Sequence, residues 1–136
     1  MRYLAIDYGK KRTGLAICDF SETVISPLMV LEKQKHLISK IIEVVKEEQV
    51  DSVVLGLPLN MDDSYGPQAK IILSFAEQLK HKLHIPIHLQ DERLSSFSAE
   101  EKLNAANLKP KKKKKRLDAV AAAEILQTFL ESKNRY

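Results

Sequence analysis

Three acidic positions and one basic run carry most of the chemistry this chain can offer. Asp7 ends the apolar run Tyr3-Leu4-Ala5-Ile6 and precedes Tyr8-Gly9-Lys10-Lys11-Arg12-Thr13-Gly14, after which Leu15-Ala16-Ile17-Cys18 is apolar again. Two β-prone runs joined by a Gly-containing loop predict a hairpin, with Asp7 at or near the end of a strand buried on both faces. A carboxylate so placed loses hydration, and the charge must be neutralised. Backbone N–H groups from Tyr8 to Lys10 would suffice if Asp7 only closes a turn. A cation becomes the stronger expectation because two more acids, near Glu92 and at Asp118, stand where solvated carboxylates are not expected.

Asp118 opens a stripe with Ala121, Ala122, Ile125 and Phe129, spaced by three or four so that they share one helical face. The small residues nearest the acid would let the helix approach a sheet and carry Asp118 over the strand ends. An Asp in a first helical turn also complements the helix dipole without any metal. If three carboxylates converge they raise one another's pKa, and a divalent cation relieves the repulsion. Oxygen-only ligation favours Mg²⁺ or Mn²⁺, and no Cys/His set has zinc spacing. A pair of such ions roughly 3.5–4 Å apart activates water and steadies the leaving oxygen of a phosphodiester, which is nuclease chemistry.

The basic residues fit a polyanionic partner. The net charge is +4, yet Lys109, Lys111 to Lys115 and Arg116 supply seven positive charges, so the remainder of the chain carries −3. The field is local, at one edge of the molecule. Lys111, Lys112, Lys113, Lys114, Lys115 and Arg116 directly precede Asp118, as a loop ahead of its helix, and Lys10, Lys11 and Arg12 add to the same field. Each phosphate neutralised would steepen the salt dependence of binding. All four glycines, Gly9, Gly14, Gly56 and Gly66, fall in the two loops leaving the first and fourth predicted strands, where φ > 0 or close backbone approach would serve substrate contact.

The elements that must position these residues follow from periodicity. After the hairpin, Val24 to Leu31 is a third strand interrupted at Pro27, which suits an edge. Lys35 to Glu48 is an amphipathic helix, Ser52 to Gly56 a strand buried on both faces, and Pro67 to Lys82 a helix with Pro at its first position. Pro86 to Gln90 is the next strand, Ser98 to Asn107 a short helix opened by a capping box, and Arg116 to Ser132 the last helix. The order β-β-β-α-β-α-β-α-α is an α/β layout with a mixed five-stranded sheet flanked by helices. Residues 1–136 are expected to form one domain. No apolar stretch reaches the ~18 residues of a membrane span, and the N-terminus lacks a signal-peptide layout, so the expected location is cytoplasmic. Cys18 fits a reduced compartment as a small core residue.

Four blocks together resemble the YqgF/RuvX family: Ala5-Ile6-Asp7-Tyr8-Gly9 with Arg12-Thr13-Gly14-Leu15-Ala16, then Gly56-Leu57-Pro58-Leu59-Asn60-Met61-Asp62 with Gly66, then Asp91-Glu92-Arg93-Leu94-Ser95-Ser96, then Asp118-Ala119-Val120-Ala121-Ala122. They span nearly the whole chain in order. The resemblance implies a ribonuclease-H-like fold and a metal-dependent nuclease whose acidic triad is Asp7, Glu92 and Asp118. Either Asp91 or Glu92 can be the second acid, and Glu92 is preferred for its longer reach. The substrate implied is structured nucleic acid: precursor 16S rRNA, cut at its 5′ end, or four-way DNA junctions, whose resolution by two symmetric cuts calls for a homodimer. Asn60, Arg93, Arg12 and the lysine run would contact nucleic acid. Two rivals stand beside this. One is an RNA-binding ribosome-assembly factor without catalysis. The other is half of a nucleotide clamp, since Asp7-Tyr8-Gly9 to Thr13-Gly14 also resembles the phosphate loop of the actin and sugar-kinase group.

Overall fold

The computed structural model describes residues 1–32, 35–58, 62, 64–91 and 110–134, with side chains in the last helix described from Asp118 to Lys133. The elements are β1 (Tyr3–Tyr8), β2 (Arg12–Cys18), β3 (Ile25–Glu32), α1 (Leu37–Glu47), β4 (Ser52–Leu57), α2 (Pro67–Lys82), β5 (Ile87–Asp91) and α3 (Pro110–Asn134). The strands form one sheet in the order β3-β2-β1-β4-β5. β2 runs antiparallel to both β1 and β3, and β4 lies parallel to both β1 and β5. The sheet is mixed and five-stranded, as expected. Pro27 sits on β3 at the sheet edge, where a missing N–H costs no ladder bond.

Alternation along the strands separates two cores. Leu4, Ile6, Leu15, Ile17, Val53 and Leu55 point to one face, against Ile41 and Val44 of α1 and Ile72, Phe75 and Leu79 of α2. Tyr3, Ala5, Ala16, Cys18 and Val54 point to the other, against Ala122, Ile125, Leu126 and Leu130 of α3. Each fully buried Leu or Ile contributes about 1.5–3 kcal/mol relative to exposure. Burial therefore favours this register strongly, because a slip of one residue would exchange the two sets.

Pro67 occupies the start of α2, with Gly66 as its extended cap. The largest departure from expectation is in α3, which begins at Pro110 rather than Arg116. The backbone of Lys111 to Arg116 therefore belongs to the first turns of the helix instead of a preceding loop. The physical reason is ordinary: Pro is well suited to a first helical position, and lysine is a good helix former despite its charge. Gly14 also departs, lying within β2 rather than in a loop. None of the four glycines has positive φ. The predicted helix over Ser98 to Asn107 lies outside the described residues. Among the described residues no helix is long and apolar enough to cross a membrane.

Candidate active site

Asp7 continues the series of Tyr3 and Ala5, so its side chain belongs to the α3 face of the sheet. Tyr8 turns the other way and stacks on Phe75, ring centroids 4.2 Å apart. In the β1–β2 ladder Asp7 stands opposite Gly14. Gly14 belongs to the series of Ala16 and Cys18, which also face α3. A Cβ at Gly14 would collide with the backbone carbonyl of Asp118. The backbone of α3 thus rests on β2 at Gly14, directly across the ladder from Asp7. Asp7 and Asp118 are more than a hundred residues apart in the chain yet share one face and one end of neighbouring elements.

Arg12 is next in the same β2 series and donates from Nε to Oδ2 of Asp118 at 2.9 Å. The Asp118 side chain is 29% exposed. Burial pushes its carboxyl above the ordinary aspartate range, the hydrogen bond and charge of Arg12 draw it down, and the charge of Glu32 pushes it up again. The net direction is upward, so one guanidinium does not fully offset the lost hydration. This half-buried carboxylate is the kind of group that a further positive charge stabilises. Arg12, expected among the phosphate contacts, has its Nε engaged by an acid of the site.

Asp91 pairs with Leu57 and shares the parity of Ile87 and Leu89. Leu57 belongs to the core under α1 and α2, so Asp91 faces away from Asp7 and Asp118. Its neighbour His88 faces α3, with ring centroids 5.1 Å from Phe129 and 6.3 Å from Tyr3. Glu92, Arg93 and Asn60 lie outside the described residues, as do the side chains of Lys111, Lys112, Lys113, Lys114, Lys115 and Arg116. Lys10 and Lys11 are exposed in the β1–β2 connection. Among the described residues no three His, Cys, Asp or Glu side chains form a metal-binding group. Asp7 and Asp118 nevertheless offer hard oxygen donors on one partly buried face, a donor set that fits Mg²⁺ or Mn²⁺ rather than zinc.

Sequence reasoning missed two features here, the Arg12–Asp118 pair and the seat of α3 on Gly14. The second had a signal. Gly14 stands between β-prone Thr13 and the apolar run Leu15 to Cys18, and a glycine inside a strand marks close approach of another backbone.

A mixed sheet of this order with a long helix across one face is a ribonuclease-H-like arrangement, and the acids of the first strand and of that helix stand on the same side of it. The chain belongs to the RuvX family, whose family model, described as Holliday junction resolvase, matches residues 1–132. A relative from Maridesulfovibrio salexigens is 41% identical over 132 residues, covering 96% of this chain and 98% of its own. One from Chloroflexus aurantiacus is 40% identical, covering 96% of this chain and 86% of its own. Both are named as pre-16S rRNA nucleases. Among solved structures, Thermus thermophilus RuvC in complex with a Holliday junction substrate aligns with a TM-score of 0.59 at 12% identity, covering 93% of this chain and 90% of RuvC. The fowlpox virus Holliday junction resolvase aligns at 0.58 and 16% identity, covering 97% and 99%. These similarities bear out the expected family and fold.

Proposed function

We propose that this chain is a divalent-metal-dependent nuclease that processes the 5′ end of pre-16S rRNA, with Asp7, Glu92 and Asp118 as its acids. The observation that carries the site is the meeting of Asp7 and Asp118 on one face through Gly14. The names of the relatives support the substrate. The turn of Asp91 toward the other layer supports Glu92 as the acid of its segment. Asp7 and Asp118 would hold Mg²⁺ or Mn²⁺ together with Glu92. A divalent ion there supplies Lewis-acid activation of water and charge neutralisation at the phosphate. Arg12 orients the Asp118 carboxylate, and its hydrogen bond and charge favour the ionised form against the effect of burial. The lysines in the first turns of α3, one to two turns ahead of Asp118, draw the phosphate backbone toward the acids, and Arg93 and Asn60 add further contacts.

A second substrate, four-way DNA, is favoured by the family's description as Holliday junction resolvase and would require a homodimer. Purified protein offered precursor rRNA and branched DNA in direct competition separates the two. Preferential cleavage of the rRNA supports the first. In either case Asp7→Asn is expected to abolish metal-dependent cleavage, and full activity of that variant would overturn the assignment. Complementation by Asp7→Asn in cells would instead indicate an assembly factor that binds RNA without cutting it.

A further inference from the structure

Arg12 stands among acids from three elements. On the α3 face of β2 it lies two residues before Gly14, so Asp7 on β1 is its diagonal neighbour, and its ladder partner on β3 is Glu32. Ladder partners point to the same side of a sheet, so Glu32 shares this face, and its charge acts on Asp118. The guanidinium donates from Nε to Oδ2 of Asp118 at 2.9 Å.

Both members of that pair are pinned at the backbone. A Cβ at Gly9 would collide with the carbonyl of Arg12, and one at Gly14 with the carbonyl of Asp118. The two glycines of one hairpin thus let the turn close on Arg12 and let α3 settle on β2. Ion pairs between mobile surface side chains form and break freely. This one joins residues 106 positions apart whose backbones leave little room for any other arrangement.

A guanidinium and a divalent ion ask the same thing of a carboxylate, its oxygens and its negative charge. Partners that strengthen a metal ligand from outside are carboxylates, carbonyls or water, which raise its basicity. Arg12 is a cation and does the opposite. It draws charge away from the oxygens and repels an incoming ion across a half-buried gap that solvent screens poorly. Release from Asp118 would not strand it, since Glu32 stands opposite in the ladder.

We propose that Arg12 is a resident counter-cation, a positioning residue that holds the Asp118 carboxylate when no divalent ion is bound and competes with that ion for it. The inference rests on the reading of Asp118 as a metal ligand. Arg12 then sets how tightly the metal binds. A purely supporting role has the opposite sign, because loosening a ligand's partner lowers metal affinity.

Mn²⁺ binding by the full chain, followed by electron paramagnetic resonance at about pH 8 where carboxyls are ionised, tests this without nucleic acid. Arg12→Gln keeps an amide donor and loses the charge. It is expected to bind Mn²⁺ about tenfold more tightly than the parent, the scale of one unit charge at this range. Arg12→Lys keeps the charge and is expected to stay within about threefold of the parent. Lys11→Gln removes an exposed charge from the adjacent turn and should also change affinity by less than about threefold. Both side chains of the pair are partly exposed, so circular dichroism of each variant is expected to match the parent. Millimolar Mn²⁺ should raise the melting temperature of Arg12→Gln more than that of the parent, since a tighter ion stabilises more. Unchanged or weaker Mn²⁺ binding by Arg12→Gln overturns the proposal, as does equal tightening in Arg12→Lys or Lys11→Gln. Asp118→Asn tests the reading beneath it and is expected to weaken Mn²⁺ by at least about tenfold. Parent-like binding by Asp118→Asn would remove Asp118 as a ligand. Weak binding there, with no change in Arg12→Gln, would sink the competition alone.

Discussion

The two faces of the sheet are built from side chains of different size, and the difference separates two kinds of work. Under α1 and α2 the strands present Leu4, Ile6, Leu15, Ile17, Val53 and Leu55, large aliphatics that hold the helices off and fill the space by volume. Under α3 they present Ala5, Gly14 and Ala16, and the helix answers with Ala119 and Ala122. Small residues let the helix backbone come down onto β2. A side chain as short as aspartate reaches a partner only when the backbones are this close, so the crowded face can place Asp118 beside Arg12 and above the ladder partner of Asp7. The roomier face leaves a cleft lined with cations and hydrogen-bond donors.

Substitutions break this contrast in different ways. The largest effect is expected at the acids. Asp7→Asn and Asp118→Asn should each lower cleavage of precursor rRNA by at least about a hundredfold, since even residues that only support metal ligands cost 10- to 100-fold when changed. Circular dichroism of both variants should match the parent. Next come the fillers of the large-residue face: Leu55→Ala should cost about 2–5 kcal/mol in urea unfolding, from lost transfer energy and the cavity left behind. The small-residue face has the reverse sensitivity. Gly14→Ala adds one carbon, yet it should cost roughly 1–3 kcal/mol because α3 must lift off β2. It should also reduce cleavage by moving Asp118. A Gly14→Ala protein as stable and active as the parent would remove the claim that contact at this glycine sets the site.

The smallest expected effect is electrostatic. Burial keeps Asp118 more protonated in the folded chain than in the unfolded one, so its contribution to stability is greatest at low pH. That contribution falls as pH rises from the ordinary aspartate range through the raised folded value. Arg12→Ala removes the group that draws the carboxyl down, so the interval over which stability falls should extend to higher pH. Carboxyl titration followed by NMR should show the Asp118 pKa of Arg12→Ala above that of the parent. An unchanged value would mean that the Arg12 contact at 2.9 Å does not persist in solution.

Most of the fold was legible because its signals are local. Alternation and apolar runs marked β1, β2 and β4, Pro67 marked the start of α2, and Pro27 marked an edge. The start of α3 was misplaced because six consecutive basic residues look like a solvated loop, although lysine favours helix almost as well as the best formers and Pro110 supplies a start. The glycines were expected to serve φ > 0 or close backbone approach, for contact with a substrate. At Gly14 it is the backbone of α3 that approaches, and no local pattern states which backbone will do so.

The acids themselves, their order along the chain and the family they resemble were settled by residue type and spacing, because strands and helices have fixed periods and a carboxylate keeps its chemistry wherever it is put. Only the packed structure decided which acids share a face. It turned Asp91 toward α1 and α2, set Asp118 on Gly14 and gave it Arg12 as partner. Those outcomes depend on how closely two distant segments approach, and that distance is set by the combined volume of all the side chains between them.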